Sequence, residues 1–228
     1  MNHKNSMPIE RRAFFERFPL YVWICFLYFF AIDFLVFYGT RPLLPYLPAH
    51  DLSTPLDRMI PLSPPWIVVY VGAFLSWVVS LVWIMSDSRE RAYRLCGTYT
   101  IIMIVCTVCF LAFPVTIERP EVTGDGLFEW GVRLIYRLDS PTNLFPSLHV
   151  IISYLCWRFT IGAKRIPKWY MWFNLVYLIL VCFSILFVKQ HFIADIGLAF
   201  IVAEGAVQLA RLLRIERIGF AIEKNVKK

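Results

Sequence analysis

Two histidines carry most of the chemistry that this sequence offers. His149 lies in Phe145-Pro146-Ser147-Leu148-His149, and His191 lies in Lys189-Gln190-His191-Phe192-Ile193-Ala194-Asp195. Asp195 stands four residues beyond His191, the spacing that puts two side chains on one face of a helix. A carboxylate beside an imidazole fixes the ring's tautomer and stabilises its charged form, which suits the other ring nitrogen to attack on phosphorus. A second imidazole at the same place supplies a leaving oxygen with its proton. Cations stand near both in sequence: Arg119 directly before Pro120, and Lys189 two residues before His191. Together with Ser147, in the first turn of a helix that Pro146 begins, and the free N–H groups of two helix starts, they form a set suited to a phosphate. Arg133 and Arg137 are weaker candidates, since a solvated loop helix accounts for them.

The elements that must position these residues are apolar. Of the 228 residues, 59% are hydrophobic. Six runs approach or exceed the roughly 20 residues that cross a bilayer, at about 19–38, 66–85, 95–115, 146–163, 169–188 and 191–210. They are continuous rather than alternating, and only helices or closed barrels satisfy their backbone in lipid. The expectation is an all-α integral membrane protein, one domain over residues 1–228 built as a six-helix transmembrane bundle. The first run is too long and too aromatic at its flanks for a cleavable signal peptide and reads as a retained span. His149 and His191 open the fourth and sixth spans. The chain crosses twice between them, so both mouths face the same side.

Charge sets which side. Placing the N-terminus, the loop between spans 2 and 3, the loop between spans 4 and 5 and the C-terminus together gathers 17 of the 23 lysines and arginines. The positive-inside rule then puts both termini in the cytoplasm and the histidines on the external or periplasmic face. The net charge of +7 is thus a topology signal and an attraction for anionic headgroups rather than a nucleic-acid footprint. Residues 1–18 read as an amphipathic cytoplasmic lead-in and 211–228 as a basic tail. The segment 39–65 holds seven prolines and cannot be one helix. The loop 2–3, from Asp87 to Arg94, reads as short and charged. Residues 126–138 have helical spacing, with Leu127, Trp130, Leu134 and Leu138 on one side, and predict an external interfacial helix between spans 3 and 4. The six cysteines fall in or near spans and read as small apolar filler, Cys106 and Cys109 included. Asp33 and Glu204 are ionisable groups in or near spans. Asp33 is expected near the outer interface and Glu204 beside a neighbouring helix.

In these motifs the chain resembles the type 2 phosphatidic acid phosphatase superfamily of six-span membrane phosphatases and phosphotransferases. Three motifs carry the resemblance, in order and in place relative to the spans: Arg119-Pro120, Pro146-Ser147-Leu148-His149, and His191-Phe192-Ile193-Ala194-Asp195. It implies that His191 becomes a phosphohistidine, Asp195 orients it, His149 protonates the leaving group, and Arg119 and Ser147 hold phosphate oxygens, with no metal or other cofactor. The implied partner is a lipid phosphate or diphosphate within membrane lipid, and the implied location is a plasma or inner membrane. Two departures stand out. Ala112 occupies the place of the first motif's lysine, and Ile185 that of the third motif's arginine; Lys189 is the expected substitute. The Pro-Ser-Leu-His form and the stretch Asp57-x-x-Ile60-Pro61-Leu62-x-Pro64 look more like the branch that includes inositol phosphorylceramide synthases, which implies headgroup transfer as the alternative to hydrolysis.

Other readings use the same residues. Ser147 with a histidine makes an intramembrane serine hydrolase. His149, His191 and Asp195 make a metal site. A site without chemistry makes a lipid transporter or scramblase. The sequence leaves the lipid and the oligomeric state open.

Overall fold

A computed structural model describes residues 17–226. The expected lead-in lies almost wholly outside the described residues, as do Lys227 and Lys228 of the tail. The fold is all-helical. In chain order the helices are α1 (Leu20–Thr40), α2 (Pro55–Met59), α3 (Ile67–Asp87), α4 (Arg89–Ala112), α5 (Leu127–Leu138), α6 (Leu148–Thr160), α7 (Lys168–Phe187), α8 (Ile193–Leu212) and α9 (Glu216–Val226). Short 3-10 turns cover Arg41–Tyr46 and Pro64–Trp66. The proline-rich segment is therefore broken into pieces, because each proline removes a donor and fixes its own φ.

Five helices, α1, α3, α4, α7 and α8, are long and apolar enough to cross a membrane. Only 17–39% of each apolar window is buried within the protein. Large side chains such as Leu27, Leu35, Leu75, Trp172 and Ile201 project outward. An apolar surface of that extent calls for lipid as its solvent. The fourth expected run, 146–163, behaves differently. It is helical only over the 13 residues Leu148–Thr160, ten of which are buried. At 1.5 Å per residue α6 rises about 20 Å, short of the roughly 30 Å hydrocarbon core. It packs against α3, α7 and α8 and forms the interior of the bundle.

Polar groups join the helices of the bundle. Trp77 Nε1 donates to Ser153 Oγ at 2.9 Å, linking α3 to α6. Ser80 Oγ meets Tyr170 Oη and Asn174 Oδ1, both at 2.9 Å, linking α3 to α7. Gly72 lets these two helices close, since a Cβ there would meet the Tyr177 hydroxyl, which donates to Val69 O at 3.0 Å. Asp33 accepts from the Tyr99 hydroxyl, and Phe29 stacks on the Tyr99 ring at 3.7 Å. Glu204 pairs with Arg158 on α6 at 3.1 Å and with Tyr154 at 2.5 Å. Asp33 and Glu204 thus both serve helix packing. All six cysteines are free thiols.

Two sequence boundaries change. The charged stretch 87–94 is not a loop: Ser88 caps α4 by accepting from Arg91 N at 3.2 Å, so Arg89–Arg94 already form its first turns. On α5, Leu127, Trp130 and Leu138 are exposed while Val132 faces inward, so the apolar stripe points away from the protein.

Candidate active site

A small second core gathers the loops that matter. Val115, Ile117, Leu144 and Phe192 are buried together, with Leu52 and Phe145 packed on them. Ile117 stands two residues before Arg119, Leu144 two before Pro146, and Phe192 directly after His191. Their burial brings three distant stretches of chain to one place. A short bridge between His50 and Val115 adds the first loop: His50 N donates to Pro114 O at 2.8 Å, and Thr116 N to His50 O at 3.0 Å.

The two helix starts lie slightly later than the sequence suggests. Pro146 precedes the helix instead of opening it. Ser147 is the N-cap of α6 and its Oγ accepts from Val150 N at 3.5 Å. His191 precedes α8, which begins at Ile193. The four-residue spacing works through the turn rather than along a helix face. Asp195, fully buried, reaches back so that Oδ2 contacts His191 Nδ1 at 3.0 Å and accepts from Phe192 N at 2.9 Å. Its main-chain oxygen accepts from Ser147 N at 3.3 Å. One residue therefore links the starts of α6 and α8.

His149 lies in the first turn of α6. Its ring centroid is 5.7 Å from that of His191, with the planes at 65°. The aromatic residues of α3 enclose it, with Tyr70 at 4.5 Å, Trp77 at 5.4 Å and Phe74 at 5.8 Å. The Trp77–Ser153 bond fixes that wall one turn below. His191 Nδ1 faces the carboxylate, so Nε2 is the nitrogen left for chemistry.

Arg119 reaches the same region. Its Nη1 donates to Asp139 O at 2.6 Å and Tyr136 O at 3.2 Å, and its Nη2 donates to Gln190 Oε1 beside His191. The guanidinium lies over the Tyr136 ring at 4.7 Å. Burial lowers its pKa from the ordinary value, partly offset by Asp139. Lys189 has a left-handed backbone (φ 55°), and its Nζ donates to Asp57 O at 2.9 Å. Arg133 is turned to the Val122 and Gly124 carbonyls, and Arg137 is exposed.

Several participants escape motif reasoning. Gln190 is 1% exposed and bridges Arg119 to the His191 loop. Tyr136 donates to Val188 O at 2.9 Å, and burial raises its own pKa to about 12. Asp57 lies in the stretch noted only for its resemblance. Its Oδ1 accepts from Ile193 N at 2.8 Å, the first N–H of α8, while Oδ2 accepts from Thr54 N at 2.9 Å. Burial acts to raise the Asp57 pKa, yet the bonds from Thr54 and Ile193 and the charge of Lys189 hold it below the ordinary value. Arg41 pairs with Asp139 at 2.8 Å. No motif pointed to either.

Buried polar atoms without partners mark the place. Among the described residues they are Arg41 Nε, Arg119 Nε, Thr142 Oγ1, His149 Nε2, Gln190 Nε2 and Asp195 Oδ1. Each such group costs roughly 1–3 kcal/mol. Native proteins satisfy nearly all such groups, and four of these six, on Arg119, His149, Gln190 and Asp195, belong to residues gathered at the histidine pair. Among the described residues no group of three histidine, cysteine or acidic side chains is arranged to hold a metal ion. No known protein family, curated protein or solved structure matches this chain.

Asp57→Ala is expected to lower stability by about 1–3 kcal/mol through the unpaired N–H groups of Thr54 and Ile193. Because the folded-state pKa is depressed, this contribution is complete at neutral pH and disappears as the pH falls through that depressed value. Thermal unfolding of wild type and variant at neutral and acidic pH measures both: the gap should be widest at neutral pH and narrow in acid.

Proposed function

We propose that this chain is a membrane enzyme that cleaves a lipid phosphate or diphosphate through a phosphohistidine on His191. The observation that carries the reading is the His191 Nδ1–Asp195 contact at 3.0 Å with His149 facing the same ring at 5.7 Å. The resemblance of the three motifs to the type 2 phosphatidic acid phosphatases supports the same assignment.

The chemistry has two steps. His191 Nε2 attacks phosphorus, the bond from phosphorus to the leaving oxygen breaks, and protonated His149 gives its proton to that oxygen. A water molecule then attacks the phosphohistidine while neutral His149 takes its proton. The phosphorus–nitrogen bond breaks, and inorganic phosphate leaves with both histidines restored. Asp195 holds His191 in the tautomer that exposes Nε2 and stabilises its positive charge. Arg119 and the helix starts bearing Ser147 and His191 offset the charge on the equatorial oxygens. A lipid alcohol in place of water gives headgroup transfer. This second reading is favoured by the stretch from Asp57 to Pro64, which resembles the synthase branch.

The topology belongs to the same proposal. α6 is the fourth of six spans, completed by the non-helical segments at its ends, and α5 lies on the external surface. The 17-to-6 partition of basic residues supports an orientation with the histidines outside and the termini in the cytoplasm.

Two experiments test this. With phosphatidate and a polyprenyl diphosphate as substrates, His191→Ala and His149→Ala should each abolish turnover, and Asp195→Asn should reduce it by about 100-fold or more. Acid-labile phosphate should appear on wild type and vanish in His191→Ala. Turnover at the wild-type level in either histidine variant overturns the assignment. For topology, cysteine introduced at Ser140 should react with an impermeant maleimide in intact cells, and cysteine at Ala163 only after permeabilisation. Labelling of both from one side removes α6 as a span.

A further inference from the structure

The phosphate site lacks two cations that its motifs lead one to expect, at Ala112 and Ile185, and the structure offers a different one. Arg119 is held by two carbonyls and Gln190, Lys189 by Asp57 O, and Arg133 by its own loop. Arg41, from the first loop, is a further cation that no motif contains. It begins the 3-10 turn after α1, and its guanidinium lies over the rings of Phe37 and Tyr38 at 4.4 and 4.8 Å. Asn143, with a left-handed backbone (φ 58°), fastens this end of α1 to the loop before α6 by donating to Phe37 O at 2.8 Å and to Thr40 Oγ1 at 3.1 Å.

Arg41 and Arg119 converge on one residue. Arg41 Nη2 binds the Asp139 carboxylate at 2.8 Å, and Arg119 Nη1 binds the Asp139 carbonyl at 2.6 Å. The carboxyl group feels Arg119, Arg41 and His191 together, all opposing the burial that raises its pKa. A single anion thus sits among the positive groups on which a phosphate would draw. Arg41 Nε has no partner, nor does Thr142 Oγ1 nearby. Arg41 and Thr142 also line a cavity of about 350 Å³ with Leu44, Pro45, Thr116 and Ser140.

We infer that Arg41 is a phosphate ligand of this site, and that the Asp139 carboxylate holds its place in the empty enzyme and yields it when phosphate enters. The inference rests on the phosphohistidine reading. The paired state keeps the Arg41 charge compensated until substrate arrives. Phosphate then meets two guanidiniums, one from the first loop and one from the loop after α4, and takes over the position of a native anion. Asp139 acts through Arg41 and is a positioning residue, with the particular property that its negative charge opposes the ligand.

Binding of orthovanadate, which mimics the phosphoryl group, to the full-length protein in nanodiscs by calorimetry tests this without turnover. Arg41→Gln should weaken binding at least tenfold, and Arg41→Lys should restore part of the loss. Asp139→Asn should tighten binding severalfold, because it removes the competing charge. The double variant Arg41→Gln/Asp139→Asn, which removes both charges of the pair, should unfold no earlier than Asp139→Asn alone and still bind weakly. If Asp139→Asn weakens binding as Arg41→Gln does, the pair is a structural clamp and the inference is overturned. It is also overturned alone if His191→Ala abolishes vanadate binding while Arg41→Gln leaves it unchanged. If wild type and His191→Ala bind vanadate equally, or neither binds it, the phosphohistidine reading falls and this inference falls with it.

Discussion

The buried carboxylate of Asp195 is the constraint on which the rest of the site depends. One oxygen engages the His191 ring and the Phe192 N–H, and the main-chain carbonyl of the same residue receives the N–H of Ser147. The carboxylate fixes the His191 loop to the start of α8, and the main-chain carbonyl of the same residue ties the cap of α6 to it. His149 follows, because it sits in the first turn of the helix that Ser147 begins. The distance between the two imidazoles is set through this one acid.

A layer of supports surrounds that centre, and much of it consists of backbone contacts. Lys189, Arg119, Tyr136 and Asp57 each meet a main-chain group of another segment. Loops without regular structure have many carbonyls and amides that need partners, and long side chains from neighbouring loops supply them. The result is rigid without being saturated. The unpartnered atoms of His149, Asp195, Arg119 and Gln190 remain at the centre, where an occupant would serve them.

The histidine pair, its aspartate and the long apolar helices were legible in the sequence because each rests on local spacing or on a run of one residue class. That His149 and His191 share a side could be argued from the parity of the expected crossings, but not that their rings lie 5.7 Å apart. What could not be read was anything set by packing between distant loops. Val115, Ile117, Leu144 and Phe192 are ordinary apolar residues in sequence, yet their small core is what assembles the motif loops. Arg41 and Asp139 are separated by nearly a hundred residues and lie in no motif. Helix starts also shifted: Pro146 and His191 fall just outside their helices, since Ser147 is the better N-cap and Asp195 completes the turn before α8. The extent of α6 was misjudged for a related reason, because apolar residues continue past Thr160 where the backbone already turns.

That short helix has a geometric outcome. α3, α7 and α8 run for 20 or 21 residues around a post of 13. α6 and α8 start level with each other, since Ser147 N donates to Asp195 O, and Arg158 near the end of α6 meets Glu204 only midway along α8. The surplus of α8, about 10 Å at 1.5 Å per residue, therefore lies beyond Thr160, at the end away from the histidines. Hydrophobic thickness, usually a constraint on where helices may end, is met here by the outer helices, which frees the inner one to stop where its polar contacts stop.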